Sequence, residues 1–213
     1  MGNVQRPGVD YDPQRGVGYL RLASRYDDEI WRLVPDDAGP PPAHLAAFTR
    51  SLGGGGRVLD LGAGDGRLSA ELAFAQLTLA DVSEVALERA AARLPEAAIV
   101  ALEPDAPLPL EDSAFDLVLC AETLEHVRDV QLLLSEARRV LVPGGTLAVT
   151  TPAHGRRTGL AAAVLGFERA FDPLSPHLRF FTARSLAALL DALGFDPGPV
   201  RTRAGTLLAR ATR

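Results

Sequence analysis

"RVLDLGAGDGRLSAELA", residues 57–73, joins a short apolar run to a turn with three glycines and then to an alanine-rich amphipathic segment. The apolar run predicts a strand at Arg57–Leu61, and the amphipathic segment predicts a helix at Gly66–Ala75. A glycine-rich turn between a strand and a helix lets the backbone come close to a ligand. The spacing Gly-x-Gly-x-Gly is compatible with a dinucleotide, with another nucleoside, or with close packing inside the fold.

Apolar runs alternate with helical patterns along the rest of the chain. Predicted strands are Leu77–Asp81, Ala97–Leu102, Phe115–Cys120 and Thr146–Thr151, and predicted helices are Ser83–Leu94, Val130–Val140 and a helix that begins at Thr182 and ends at Gly194. Two later strand-like runs, Pro199–Arg203 and Thr206–Thr212, predict an antiparallel addition to the sheet. Continuous apolar strands alternating with helices are typical of the α/β class. We therefore expect a doubly wound, mostly parallel, seven-stranded sheet with an antiparallel edge strand.

The composition excludes several classes of protein. All 22 basic residues are arginine, so Schiff-base chemistry, lysine-bound pyridoxal phosphate and a Walker lysine are absent. The net charge of −5 argues against a nucleic acid or an anionic membrane as partner. The single cysteine, Cys120, excludes disulfide stapling and favours a reducing compartment. No apolar stretch is long enough for a membrane span or a signal core, and the expected location is the cytoplasm.

Two acids flank the glycine turn. Asp60 lies in the strand before it, and Asp81 ends the next strand, at the place where a carboxylate reaches a ribose diol. A dinucleotide fingerprint would carry its third glycine one residue later than Gly66. Because the chain also lacks the Tyr-x-x-x-Lys of many NAD(P) oxidoreductases, that class is disfavoured. The acids and the turn predict a nucleoside ligand of another kind.

Four stretches follow each other in a recognisable order: "VLDLGAGDG", "LTLADVS", "EPDAPLPLEDSAFDLVLCAETLEHV" and "ARRVLVPGGTLAVTTP". They resemble the successive motifs of class I S-adenosylmethionine-dependent methyltransferases, and above all the small bacterial group that includes quinone-biosynthesis enzymes. The likeness covers roughly residues 57–196. It implies a Rossmann-like methyltransferase fold, S-adenosyl-L-methionine as cofactor and S-adenosyl-L-homocysteine as product.

The resemblance also implies a set of cofactor contacts. Gly62, Ala63, Gly64 and Gly66 would form the turn beside the methionine half, and Asp60 would hold its amino group. Asp81 would take both ribose hydroxyls, with Val82 on the adenine face. Asp105 or Glu103 would lie near the adenine amino group, beside the amide of Ala106. The end of the fourth strand would supply backbone near the sulfonium through Cys120, Ala121 and Glu122, although a small buried strand residue is the plainer interpretation of Cys120.

Methyl transfer from a sulfonium is an in-line displacement, for which positioning of the acceptor supplies most of the acceleration. The chain lacks the Asn/Asp-Pro-Pro-Tyr/Phe and Pro-Cys motifs of DNA-base methylation, so a small-molecule acceptor with O- or N-methylation is expected. Glu122, His126 and His177 are the candidate catalytic residues, because a hydroxyl acceptor needs a base. Monomer and homodimer both remain open.

Two alternatives stay open beside this interpretation. Glu122, Glu125 and His126 share a helical face at i, i+3 and i+4, and metal-dependent O-methyltransferases have a similar Glu-x-x-Glu-His with a later histidine, here His177. A metal-free site is preferred, because related sequences carry this motif without a metal. The second alternative is a non-catalytic protein that binds S-adenosylmethionine as a partner or regulatory subunit.

The flanking segments predict the acceptor side. Residues 1–52 are expected to form an N-terminal helical segment that acts as a lid over the substrate, and residues 53–213 the S-adenosylmethionine-binding domain, with a helical cap insert at about 153–181. Ligands of open α/β sheets bind at the carboxyl ends of the strands, where both segments would lie. Among the candidate residues for the acceptor side are Tyr19, Tyr26 and Trp31, which precede the sheet. The insert carries Phe167, Phe171, Phe180 and Phe181, which would form an apolar roof over the acceptor or, in the preferred interpretation, the core of a small cap.

Overall fold

A computed structural model describes residues 26–36, 38–53, 55–166 and 176–213 of the chain. Three of the aromatic residues suggested for the acceptor side, Tyr19, Phe167 and Phe171, lie outside the described residues, as does half of the proposed N-terminal lid. No described helix is both long enough and apolar enough to cross a membrane.

The centre of the fold is a mixed sheet of eight strands. The strands are β1 Arg57–Leu61, β2 Gln76–Asp81, β3 Ala98–Ala101, β4 Phe115–Ala121, β5 Leu141–Pro152, β6 Asp196–Pro197, β7 Arg201–Arg203 and β8 Thr206–Thr212. Their order is β3-β2-β1-β4-β5-β8-β6, with β7 also paired to β8. β1 to β5 are parallel, and β8 is antiparallel to its neighbours. The predicted doubly wound sheet is confirmed, with one strand more than expected because β6 adds two residues beside β8.

Helices cover the sheet. They are α1 at residues 26–33, α2 Ala43–Arg50, α3 Glu84–Arg93, α4 Val130–Val140, α5 Arg156–Leu165 and α6 Ala183–Ala192. Three of them begin at side chains that accept a backbone hydrogen bond, namely Ser83 before α3, Asp129 before α4 and Thr182 before α6. Such caps satisfy N–H groups that the first turn leaves unpaired. The predicted starts of these helices are therefore confirmed to within a residue.

The predicted helix at Gly66–Ala75 is wrong. The structure has only a three-residue 3-10 helix there, Ser69–Glu71. Gly66 has a φ of +75°, which an α-helix does not allow, and Leu72 is extended, with its side chain buried in the core. The N–H groups of Ala75 and Gln76 both donate to the carbonyl of Gly56, at 3.0 and 3.2 Å. The segment therefore returns to the sheet at once instead of completing a helix.

The insert after β5 has helical and extended parts. It contains α5, and its returning end runs back along the loop that follows β4. The N–H groups of Leu178 and Arg179 donate to the carbonyl of Glu125 at 2.7 and 3.1 Å. Phe181 forms a bridge with Ala153 and is buried, whereas Phe180 is largely exposed. The insert thus lies beside the carboxyl ends of β4 and β5.

Candidate active site

The turn after β1 lies at the carboxyl edge of the sheet, where the strand order reverses between β1 and β4. The N–H groups of Gly62 and Ala63 both donate to the carbonyl of Ala80, at 2.8 and 3.1 Å. Gly62 and Gly64 have φ values of +82° and +53°. These contacts fix the turn against the end of β2, the strand that carries Asp81.

Two of the glycines are required by close neighbours. A Cβ at Gly62 would collide with the side chain of Thr123, and a Cβ at Gly64 would come within 2.5 Å of Trp31 Cζ2. Gly66 differs, because its neighbours are Ala90 of α3 and Leu94 just after that helix, each at 3.4 Å from such a Cβ. Gly66 therefore packs the turn against α3. The missing Cβ of Gly62 lets the loop after β4 approach the turn, and the missing Cβ of Gly64 lets α1 approach it.

Asp81 joins the glycine turn to the start of α3. Gly64 N–H donates to its Oδ2 at 2.8 Å, and Ser83 N–H donates to its Oδ1 at 2.9 Å. The side chain is buried, and this burial raises the pKa of Asp81, while the hydrogen bonds from the backbone work against the rise. Val82 follows directly and is half-buried. The carboxylate is thereby held at the carboxyl end of β2, facing the glycine turn.

Asp60 lies beneath the turn, in β1. It is 2% exposed, and the hydroxyl of Ser69 donates a hydrogen bond to its Oδ2. Burial raises the pKa of Asp60 to about 7, the charge of Asp81 adds to the rise, and the Ser69 hydrogen bond opposes it. Its expected contact with the amino group of a ligand stays a prediction.

The expected adenine side contains an ion pair. Asp105 has a φ of +53°, and its Oδ2 lies 2.5 Å from Nη2 of Arg128. Both residues border an open cavity of about 540 Å³. Ala106 follows in the same turn, and Glu103 is exposed. The carboxylate of Asp105 is thus engaged by Arg128 in this structure, and its contact with adenine stays a prediction.

The end of β4 leads to a strained residue. Cys120 is fully buried and Ala121 nearly so, and burial raises the pKa of the Cys120 thiol well above its usual range. Only the backbone of these two residues is therefore suited to contact a ligand. Glu122 has a φ of +53°, which is unusual for a residue with a side chain and is found often at functional sites. Its Oε1 accepts a hydrogen bond from Thr150 Oγ1 at 2.8 Å, which orients the carboxylate.

A cluster of one carboxylate and two imidazoles follows. Glu125 is 1% exposed and accepts a hydrogen bond from Thr151 Oγ1 at 2.9 Å. Burial raises the pKa of Glu125 to about 7, and the charge of Glu122 adds to the rise. The ring centroids of His126 and His177 are 4.9 Å apart. One potential metal-ligand atom from each of Glu125, His126 and His177 lies within 4.8 Å of the other two. The structure therefore brings together the candidate residues that are separated by about 50 positions in the sequence.

Sequence reasoning missed two histidines at this site. The chain has four histidines, and His44 and His154 join the other two. Burial raises the pKa of Glu122, and the charges of His44 and His177 oppose this rise. Burial also lowers the pKa of His154, and the charge of His177 adds to that lowering. His44 Nε2 lies 3.1 Å from Thr206 Oγ1, at the start of β8. The position of His154 just after β5 was a usable signal, whereas that of His44 was not.

The described aromatic residues before the sheet differ in their surroundings. Tyr26 is 52% exposed, while Trp31 lies against Gly64. Trp31 therefore lies on the glycine turn, and a contact of either residue with the acceptor stays a prediction.

Comparison with known proteins places this site in a wider context. A family model described as a methyltransferase domain matches residues 59–149. An uncharacterized methyltransferase of Mycobacterium tuberculosis is 40% identical over 99 residues, 44% of this chain and 49% of the relative, so the match spans about half the length of that protein. A demethylmenaquinone methyltransferase of Beutenbergia cavernae is 31% identical, covering 97% of this chain and 93% of the relative. A ubiquinone biosynthesis O-methyltransferase of Idiomarina loihiensis is 30% identical, covering 87% and 80%.

Solved structures share the fold. The YcgJ protein of Bacillus subtilis superposes with a TM-score of 0.65 at 15% identity, covering 81% of this chain and 99% of that chain. A methyltransferase of Bacillus halodurans, described as putative in its title, gives the same TM-score at 17% identity, covering 80% and 99%. At this identity the likeness concerns the fold alone, which is the Rossmann-like fold of methyltransferases.

Proposed function

We propose that this chain, which belongs to the S-adenosylmethionine-dependent methyltransferases, transfers a methyl group from S-adenosylmethionine to an oxygen or nitrogen of a small-molecule acceptor. The observation that carries the proposal is the buried carboxylate of Asp81, held by Gly64 N–H at 2.8 Å at the carboxyl end of β2. A carboxylate in this place suits a ribose diol. The glycine turn lies directly beside this carboxylate, where the missing Cβ atoms of Gly62 and Gly64 let Thr123 and Trp31 pack closely against the backbone.

The residues present fit the cofactor. When bound, S-adenosylmethionine supplies an electrophilic methyl group on its sulfonium. Asp81 would hold the ribose, and the backbone of Gly62, Ala63 and Gly64 would lie along the methionine half. The backbone at Cys120 and Ala121 would border the sulfonium, since the Cys120 side chain is buried in the sheet. These roles require positioning and exclusion of water, and no covalent step by the protein.

The acceptor side carries groups that can take up a proton. Partial burial and the neighbouring His177 lower the pKa of His126, so its imidazole is neutral near pH 7 and able to act as a base. Glu122 is oriented by Thr150 and lies near His177, whose charge acts on it. We therefore assign the removal of a proton from a hydroxyl acceptor to His126, His177 or Glu122. The O-methylation in the name of the Idiomarina relative supports an oxygen acceptor.

Titration calorimetry with S-adenosylhomocysteine tests the cofactor. We expect binding by the wild type, and a loss of roughly 1.5–3 kcal/mol in Asp81→Ala, the value of a hydrogen bond to a charged group. Asp116→Ala is the matched control, because Asp116 forms an ion pair with Arg57 at the opposite, amino end of β1 and β4. The control should bind like the wild type. Absence of wild-type binding below the millimolar range would overturn the proposal.

A second candidate, metal-assisted O-methylation of a catechol or a terminal ribose, is favoured by one observation. Ligand atoms of Glu125, His126 and His177 lie within 4.8 Å of one another. One carboxylate and two imidazoles suit Zn²⁺, Mn²⁺ or Fe²⁺ and leave coordination positions for two adjacent acceptor oxygens. In this candidate Glu122 would be the fourth side chain, and a bound ion would polarise the acceptor hydroxyl.

Metal titration separates the two candidates without any knowledge of the acceptor. If the metal-assisted candidate holds, the chelator-treated wild type binds one equivalent of Zn²⁺ or Mn²⁺, and His126→Ala loses it. His44→Ala is the control, since this histidine lies outside the three-residue cluster, bonded to Thr206. A wild type that binds no ion tighter than the millimolar range excludes this candidate and leaves the metal-free base.

A further inference from the structure

Asp60 is a carboxyl group inside the sheet, two residues before the glycine turn. It is 2% exposed, and among the described residues its hydrogen-bond donor is the hydroxyl of Ser69. One hydroxyl replaces only part of the hydration that an ionised carboxylate loses when it is buried. Ionisation of Asp60 therefore depends on the charges that surround it.

The groups that face Asp60 from the neighbouring strands supply no positive charge. They are the carboxylate of Asp81 in β2 and the thiol of Cys120 in β4, whose pKa is raised well above its usual range by burial and then by the charges of Glu125 and Asp60. In the part of the chain that the structure describes, no ion pair includes Asp60 or Asp81. The two buried acids thus lack a cation that would offset their charges.

The excess of acid continues into α1. Asp28 Oδ1 accepts a hydrogen bond from Ser83 Oγ at 2.7 Å, and its charge adds to the rise in the pKa of Asp81. Burial, followed by the charges of Asp81 and Asp28, raises the pKa of Asp27 to about 6, against the effect of Arg128. A ligand that brings positive charge to this region is therefore favoured.

The proposed cofactor brings such charge. S-adenosylmethionine carries an α-ammonium group and a sulfonium, and S-adenosylhomocysteine keeps the ammonium group. We propose that Asp60 exchanges a proton for this ammonium group: its carboxyl is protonated in the empty protein below neutral pH, and it ionises and releases the proton to solvent when the ligand binds. The inference rests on the proposed function, since the cation is that of S-adenosylmethionine or its product.

The exchange makes the affinity for the cofactor depend on pH in the neutral range. Burial raises the pKa of Asp60 in the empty protein to about 7, Asp81 adds to the rise and the Ser69 hydrogen bond opposes it. A cation beside the carboxylate favours its ionised form, so the pKa of Asp60 is lower in the complex. Below pH 7 the ligand must displace a proton, and its affinity falls with the pH; above pH 7 this group has no further effect. For one such group the affinity should fall roughly tenfold between pH 7.5 and pH 6.

Titration calorimetry with S-adenosylhomocysteine counts the released protons, because buffers with different ionisation enthalpies take them up with different heats. At pH 6.5 the wild type should release roughly 0.5–1 proton for each ligand bound. Asp60→Asn can still accept the hydrogen bond from Ser69 but cannot ionise, so most of the release should disappear. Asp116→Asn is the matched control, because the hydrogen bonds from Arg57 lower the pKa of Asp116 and keep it ionised at this pH. The control should release as many protons as the wild type.

A second variant tests the assignment even if Asp60→Asn does not fold or bind. Ser69→Ala removes the hydrogen bond that stabilises ionised Asp60, so the midpoint of the pH dependence of affinity should move upward by roughly one pH unit. An unmoved midpoint, or wild-type proton release in a folded Asp60→Asn, overturns the assignment to Asp60. Wild-type binding without proton release overturns the exchange and leaves the proposed function intact. Absence of wild-type binding overturns both.

Discussion

Gly62 shows how a single residue fits two parts of the site together. Its φ of +82° turns the chain after β1, and its missing Cβ leaves space for the side chain of Thr123 from the loop after β4. Thr123 Oγ1 donates to the carbonyl of Ala121 at 3.0 Å, so this side chain has little freedom to move away. Any larger residue at position 62 must displace the loop that begins at Glu122.

Gly62→Ala is therefore expected to destabilise the protein more than backbone strain alone requires. A left-handed φ costs an alanine about 1–2 kcal/mol, and crowding of a packed site adds roughly 1–3 kcal/mol. Gly144→Ala is the matched control, because its φ is +80° and nothing lies within 4 Å of an added Cβ. Urea denaturation measures the free energy of unfolding of both variants. Equal losses would show that the contact with Thr123 does not restrict position 62.

The residues of the site were predictable to different degrees. Asp81 and the glycine turn follow from local sequence, because a strand, a turn and the end of the next strand are neighbours in any such sheet. His154 could have been assigned from its position just after β5, whereas His44 could not, since its approach to Glu122 depends on how α2 packs. The local sequence pattern identifies side chains at the ends of strands, whereas tertiary packing decides which other side chains reach the site.

Among the elements, the buried strands were the most predictable. A short continuous apolar run is typical of a strand that is covered on both faces of the sheet. The strands β1, β2, β4 and β8 lie where such runs predict them. The helix predicted after the glycine turn is wrong for a physical reason. The alanines of this segment favour a helix, whereas Leu72 is extended and buries its side chain in the core. Burial of one leucine and the return to β2 outweigh the intrinsic helix preference of about ten residues.

Helix α1 illustrates the same limit for a whole element. Apolar and aromatic residues at helical spacing within residues 17–33 predict one or two short helices, and the described residues 26–33 are helical. Nothing in that spacing indicates that Asp28 caps α3 or that Trp31 reaches Gly64. These contacts are specified jointly by both partners, and only the assembled fold brings them together.

At the scale of the whole molecule, the site makes the free energy of unfolding depend on pH, because it buries carboxyl groups whose ionisation is unfavourable. Asp60 and Glu125 are 2% and 1% exposed, and burial raises the pKa of each to about 7. Both pKa values lie above those of the unfolded chain, which are about 4. Each carboxyl therefore binds its proton more tightly in the folded state, and the stability that it contributes is present below pH 4 and is lost as the pH rises towards 7. His126 and His154 act in the opposite direction, because their lowered pKa values cost stability as the pH falls below about 6.5.

Comparison of the wild type with Glu125→Gln isolates one part of this balance. The glutamine oxygen can still accept the hydrogen bond from Thr151, but it cannot ionise in the buried site. Between pH 5 and pH 8 the free energy of unfolding of the variant should therefore gain on that of the wild type, by roughly 1–3 kcal/mol, as measured by urea denaturation at each pH. Glu111→Gln, at an exposed position, should follow the wild type throughout. The difference in free energy of unfolding between the variant and the wild type could instead stay constant with pH or move in favour of the wild type. Glu125 would then ionise in the folded protein as readily as in water, and the inference of a raised pKa at this position would be wrong.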